Sequence, residues 1–190
     1  YHVNDYLMPF EIDCESLILA YQQKKQTGID CQELKKTIQE KRRDIYQDLS
    51  AWDVCQIARH PNRPHAKDII NCITDSFVPL SGTRSSSDDP AVICGLATIG
   101  GTRMVICGQN KGRSAAEKQA CHFGMSSPEG FRKALRGAQM AEKFQIPFVT
   151  IIDTPGALPT VEAESSNQSE AIARNIYEFS GLKTPIISLI

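Results

Sequence analysis

Neither sign of charge prevails in this chain. Lys and Arg number 21 against 22 Asp and Glu, giving a formal net charge of −1. Nothing global therefore points to nucleic acid or to an anionic membrane, although a local basic patch can still hold a phosphate. No apolar run approaches the roughly 20 residues of a membrane-spanning helix. No C-x-x-C pair occurs, and no histidine stands at zinc-ligand spacing, so no metal ligand is expected here. The seven cysteines (14, 31, 55, 72, 94, 107 and 121) are odd in number. Cys55, Cys72, Cys94 and Cys107 lie inside apolar patterns, which predicts reduced core thiols in a cytosol-like compartment. No Ser-His-Asp set or catalytic carboxylate pair stands out. What is present is ordinary globular composition, 41% hydrophobic and 23% charged, which excludes disorder. The 190 residues suffice for one domain of moderate size, or a domain with an appendage. The chain starts at Tyr1 and stops in the strand-like run Pro185-Ile186-Ile187-Ser188-Leu189-Ile190, which suggests a fragment or a chain processed at both ends.

Residues 11 to 49 read as a helical hairpin. Asp13 is placed to cap a helix through Leu17, Ile18 and Tyr21, which Gly28 ends. Asp30 and Glu33 have capping-box spacing for a second helix, Cys31 to Leu49, with an apolar stripe of Leu34, Ile38, Ile45 and Leu49. Ser50 caps a short helix, Ala51 to Arg59, which Pro61 ends. Arg59-His60-Pro61-Asn62-Arg63-Pro64 is a rigid basic connector. A further helix is predicted over Ala66 to Phe77. Ser81 to Pro90 is a polar loop and the expected boundary, with a helical region over 1–80 and an α/β region over 81–190.

In the second region, Ala91 to Ile99 and Arg103 to Cys107 read as strands joined by a Gly100-Gly101 hairpin turn. Gln109 to Arg113 is a basic loop. Ser127-Pro128-Glu129 opens a helix with apolar periodicity through Ala141. Its residues Arg132, Lys133 and Arg136 form one basic face, expected to be solvated. Phe148 to Ile152 is a buried strand, Gln168 to Phe179 a helix, and Pro185 opens a last strand. Hairpin, helix, strand, helix, strand is a βαβ order of α/β class.

The most informative stretch is Ile151-Ile152-Asp153-Thr154-Pro155-Gly156-Ala157. An apolar run stops at a tight turn, and such turns at the carboxyl end of a strand are where α/β proteins place reacting groups. Exposed amides at Gly156 and Ala157 can stabilise an oxyanion without an acidic side chain. Lys111, Gly112 and Arg113 offer cations and a backbone amide for phosphate or carboxylate.

Several blocks occur in a fixed order. They are Ala58-Arg59-His60-Pro61-Asn62-Arg63-Pro64, Lys111-Gly112-Arg113, Phe123-Gly124-Met125, Pro128-Glu129-Gly130-Phe131-Arg132-Lys133-Ala134-Leu135-Arg136, Ile152-Asp153-Thr154-Pro155-Gly156-Ala157 and Gln168-Ser169-Glu170-Ala171-Ile172-Ala173-Arg174-Asn175. Together they resemble the carboxyltransferase α subunit of the multi-subunit acetyl-CoA carboxylase of bacteria and plastids, over about residues 30 to 190. The agreement of many separated blocks gives the resemblance its specificity.

The resemblance implies a crotonase-like ββα superhelix, here incomplete, behind the N-terminal helical hairpin. It implies transfer of a carboxylate from carboxybiotin, borne on a biotin carboxyl carrier protein, to acetyl-CoA, giving malonyl-CoA for fatty acid synthesis. It further implies a β subunit bearing the family's zinc finger, an α2β2 assembly, no metal in this chain, and a cytoplasmic or plastid-stroma location. Gly156 and Ala157 map to the biotin-side oxyanion donors, with Lys111, Gly112, Arg113, Thr154 and Pro155 as substrate-binding candidates. The glycine-rich segment expected to complete that pocket would begin after Ile190, so the chain alone is expected to be inactive. The sequence also departs from the family pattern. Thr160 and Glu162 stand where the post-turn loop usually has glycines, Ser166-Asn167 replaces Arg-Gly, and Gln109-Asn110 replaces His-Gln. Two alternatives follow: a non-catalytic paralogue that binds a β subunit or regulates assembly, and a biotin-independent crotonase-fold acyl-CoA decarboxylase or hydratase.

Overall fold

The computed structural model describes residues 8–27, 30–60, 62–83 and 87–190. Gly28 and Pro61, expected to end helices, lie outside these residues, as do Arg84, Ser85 and Ser86 of the polar loop. The chain divides into two compact units, Tyr1–Arg63 and Pro64–Ile190.

In the first unit α1 spans Glu15–Gln26, α2 Gln32–Gln47 and α3 Ala51–Ala58. Pro9 opens a 3-10 turn over Pro9–Cys14, so Asp13 falls inside that turn and Cys14 takes the cap position of α1. The hairpin buries Cys14, Ile18 and Ile38, with Leu17, Tyr21, Leu34 and Ile45 packed around them. These are the residues that helical spacing puts on one stripe. Ser50 caps α3 as expected: its Oγ accepts the Asp53 N–H at 3.2 Å, and Asp53 Oδ2 accepts the Ser50 N–H at 3.0 Å.

The second unit is a five-stranded mixed sheet. It contains α4 (Ala66–Ile73), β1 (Ser76–Pro79), β2 (Val92–Ile99), β3 (Thr102–Gln109) and α5 (Ala115–Ala120). Then follow α6 (Pro128–Phe144), β4 (Phe148–Ile151), α7 (Val161–Ser165), α8 (Gln168–Gly181) and β5 (Ile186–Leu189). The order is β1-β2-β3-β4-β5, antiparallel from β1 to β3 and parallel from β3 to β5. Period-2 alternation sorts the strand residues between two faces. Val92, Cys94, Val105, Cys107 and Phe148 face one side and pack with Ala138 and Ala141 of α6 and with Phe179 of α8. Ala97, Met104, Ile106 and Ile151 face the other and pack with Ala66 and Ile70 of α4.

Two sequence expectations change. The helix predicted through Phe77 ends at Ile73, and residues 76–79 pair with β2 as a strand. Phe77 lies over Gly95, where an added Cβ would come within 2.4 Å of the ring, so long-range packing overrides local propensity. α4 and β1 belong to the second compact unit, which begins at Pro64. Cys94 and Cys107 are buried directly opposite each other on β2 and β3, but Cys55 and Cys72 are exposed. Cys72 follows the buried Ile70 by two positions, which turns it to the opposite side of α4.

The basic face of α6 is not solvated. Lys133 is buried, with Nζ donating to Asp88 Oδ1 at 2.5 Å and to the Asp89 carbonyl at 2.7 Å. Arg136 donates to the carbonyls of Ser81 and Gly82, and Arg132 to Glu129 and the Ser166 carbonyl. The three cations clamp neighbouring chain onto the helix.

Candidate functional site

Parallel pairing of β3 and β4 brings Gly108 opposite Ile151, so the residues that follow both strands emerge side by side. Gln109, the last residue of β3, accepts the Asp153 N–H on its Oε1 at 2.7 Å. The Asp153 carboxylate forms an ion pair with Lys111. Thr154 follows, its hydroxyl donating to the Gly124 carbonyl at 2.6 Å and accepting the Gly156 N–H at 3.0 Å. Gly156 has φ +152°, a conformation that L side chains rarely adopt, with open space where a Cβ would lie. Beyond the turn, Ala157 forms an isolated bridge with Ser126, and the Leu158 N–H donates to the Ser126 carbonyl at 3.0 Å. That carbonyl also accepts from Nε2 of the buried Gln168 at 3.0 Å.

The two amides expected to act together therefore differ. The Gly156 N–H is satisfied inside the turn by Thr154, whereas the Ala157 N–H finds no acceptor among the described residues. Gly156 is exposed and Ala157 half-buried, so the turn is open to solvent. It can offer one ready donor to an electron-rich oxygen, with a second held by a hydroxyl.

The candidate anion ligands are also engaged internally. Lys111 meets Asp153, and Arg113 meets Asp68 at the start of α4. The Gly112 N–H donates to Asn110 Oδ1 at 3.3 Å. Gly112 has φ +70°, and an added Cβ would lie 2.5 Å from the backbone of α5 at Glu117 and Lys118. A tight backbone approach thus accounts for the glycine. Thr154 and Pro155 lie in the turn itself. The structure brings Lys111, Thr154, Pro155, Gly156 and Ala157 together, and attaches Arg113 to α4.

His65, Asp68, Gln109, Ser126 and Gln168 were not singled out as site residues by sequence. Asp68 stands three residues after His65 and accepts its N–H at 2.8 Å, a capping-box spacing that sequence inspection can find. That backbone hydrogen bond, with the Arg113 guanidinium, holds the Asp68 carboxyl below its ordinary range. Burial, then the positive charge of Arg113, pushes the His65 imidazole down, which favours its neutral form. Gln109 carries no such signal, because strand pairing alone sets its contact.

The post-turn segment is a helix and not a loop. Thr160 Oγ1 accepts the Ala163 N–H at 3.2 Å and caps α7. Asn167, in place of a glycine, keeps the left-handed conformation at φ +63°. Both departures from the family pattern thus have a local structural use.

A mixed sheet with helices on both faces and an open turn at the end of β4 is consistent with an incomplete crotonase-like fold of α/β class. The chain belongs to the acetyl co-enzyme A carboxylase carboxyltransferase-like family, which it matches over residues 8–190. It is 47% identical over 171 residues to an acetyl-coenzyme A carboxylase carboxyl transferase subunit alpha from Flavobacterium johnsoniae, covering 87% of this chain and 54% of that protein. The subunit of the same name from Xanthomonas oryzae pv. oryzae is 53% identical over 143 residues, covering 75% of this chain and 45% of the relative. The chain thus spans about half the length of the curated relatives it matches. Among solved structures, the β subunit of P. aeruginosa geranyl-CoA carboxylase is similar in fold. Its TM-score is 0.54 at 20% identity, covering 68% of this chain and 25% of that one.

Proposed function

We propose that this chain supplies the α-type part of a biotin-dependent acetyl-CoA carboxyltransferase. In this reading a carboxylate passes from carboxybiotin, carried on a biotin carboxyl carrier protein, to acetyl-CoA, and malonyl-CoA is formed for fatty acid synthesis. The partner is a β subunit bearing a zinc finger, in an α2β2 assembly located in the cytoplasm or plastid stroma. Family membership supports the reaction class. The observation that carries the site is the Ala157 N–H, unpaired among the described residues in an open turn at the end of β4.

The carboxylated cofactor supplies an activated carboxyl group, and its transfer leaves negative charge on the ureido oxygen of biotin. A preorganised amide is suited to that charge, because it needs no proton transfer and no reorganisation at the moment of reaction. Ala157 presents the first donor. Gly156 presents a second once the Thr154 hydroxyl yields its N–H. Pro155 restricts the turn, and Thr154 orients it. Lys111 and Arg113, paired with Asp153 and Asp68, add little net charge to the site.

The test is malonyl-CoA formation by the full-length subunit, combined with its β-type partner and a biotinylated carrier. Carrier-dependent product supports the reading. No product, or product that does not depend on the carrier, overturns it.

A further inference from the structure

Lys111, a candidate ligand for substrate anions, is also tied into the turn itself. Its ammonium meets the Asp153 carboxylate, and both side chains are largely shielded, 25% and 19% exposed. A partly buried pair is screened less by salt than a surface pair. The stem of Lys111 is confined as well: a Cβ added at Gly124 would lie 2.8 Å from Lys111 Cγ. The residue that crowds Lys111 also holds the turn, because the Gly124 carbonyl accepts the Thr154 hydroxyl at 2.6 Å. Gln109 completes the arrangement by accepting the Asp153 N–H at 2.7 Å. On the far side, the Leu158 N–H is tied to the Ser126 carbonyl at 3.0 Å. The backbone is thus fixed before and after Ala157, whose own N–H lies between the two anchors.

We infer that Lys111 is a positioning residue that acts through Asp153, with Gln109, to aim the Ala157 N–H, and that it is not a ligand of the substrate. The inference rests on the carboxyltransferase reading for its catalytic consequence, but not for its structural one. A ligand lysine contributes binding to ground state and transition state alike, so its loss raises KM. A brace fixes the geometry of a donor that acts on developing charge, so its loss lowers kcat.

The experiment uses the full-length subunit assembled with its β-type partner and a biotinylated carrier. The variants are Lys111→Met, Asp153→Asn, the double variant, Lys111→Arg and Gln109→Ala. Lys111→Met and Asp153→Asn should each lower kcat by roughly 10- to 100-fold, the range expected when a reacting group is misplaced by about 1 Å. KM for acetyl-CoA should stay within about twofold of the parent. The double variant should be no worse than either single one, because both remove the same contact. Lys111→Arg should recover part of kcat, and Gln109→Ala should repeat the kcat loss more mildly. A KM that rises about tenfold at unchanged kcat, or single effects that multiply, overturns the proposal.

Hydrogen exchange of the peptide over residues 152–158 gives a readout independent of activity. In Lys111→Met the Asp153 and Leu158 amides should exchange at least roughly tenfold faster than in the parent. Unchanged protection overturns the brace even if the parent proves to have no carboxyltransferase activity. An inactive parent with the expected change in exchange would overturn only the functional reading. Should Lys111→Met fail to fold, Lys111→Arg and Gln109→Ala carry the same comparison.

Discussion

Gly156 shows how little a side-chain inventory says about this site. Its φ of +152° and the empty space around a would-be Cβ make the backbone, and not crowding, the reason for glycine. Gly156→Ala should therefore destabilise the second unit by about 1–3 kcal/mol through strain alone, measured by urea denaturation. His65 is the complementary case, a residue whose neighbours decide its charge. Burial and Arg113, with Lys111 adding in the same direction, lower its pKa from the ordinary 6.5, against the opposing pull of Asp153 and Asp68. The folded state then binds fewer protons than the unfolded state. The stability it contributes is complete above about pH 6.5 and is lost as pH falls through the depressed folded value. Denaturation at pH 7.5 and 5.5 should show a smaller acid loss for His65→Gln than for the parent.

At the scale of elements, α6 carries the clearest gap between pattern and structure. Arg132, Lys133 and Arg136 have the spacing of a solvated face, and composition gives no reason to bury any of them. The reason is the 80–90 loop, whose Asp88 and Asp89 present a carboxylate and a carbonyl to Lys133. Lys133→Met keeps the apolar stem but removes the charged donor of the Asp89 carbonyl, which keeps only the Val92 N–H at 3.2 Å. Asp88, 43% exposed on its side chain, can return to water. The expected cost is about 2–3 kcal/mol, below that of a fully buried broken pair, as chemical denaturation should show. The other elements were legible to differing degrees. The α1–α2 hairpin, the β2–β3 hairpin, α6, β4 and α8 follow from periodicity and caps that lie within a few residues of each other. β1 did not, because its four residues become a strand only against Gly95–Thr98 of β2. α7 was hidden because the family pattern has a glycine-containing loop at this place, whereas here Thr160 caps a short helix.

At the scale of the whole molecule, the two units contribute differently. The family match runs across both, over residues 8–190. The open turn, the ion pair that supports it and the amide unpaired among the described residues all lie in the second unit. One amide is a modest stabiliser; removing a single donor of this kind typically raises a barrier by about 3–4 kcal/mol. A transferase built on such donors needs several, so the proposed activity belongs to the assembly. The full-length α–β complex with a biotinylated carrier should form malonyl-CoA, and the separated subunits should not. Activity in the α chain alone would contradict that division of labour.

The amino-acid sequence by itself determined most of the helices and strands, the α/β class, the family and the position of the turn after β4. Each of these depends on neighbouring residues: spacing, caps, prolines and glycines. Only the tertiary structure decided which groups the site leaves available. Lys111 faces Asp153, Gln109 holds the Asp153 amide, and Thr154 takes the Gly156 N–H while Ala157 keeps its own. Those pairings depend on the parallel register of β3 and β4 and on the 122–127 segment laid beside the turn. Contacts between distant parts of the chain are set by packing, which no local pattern encodes.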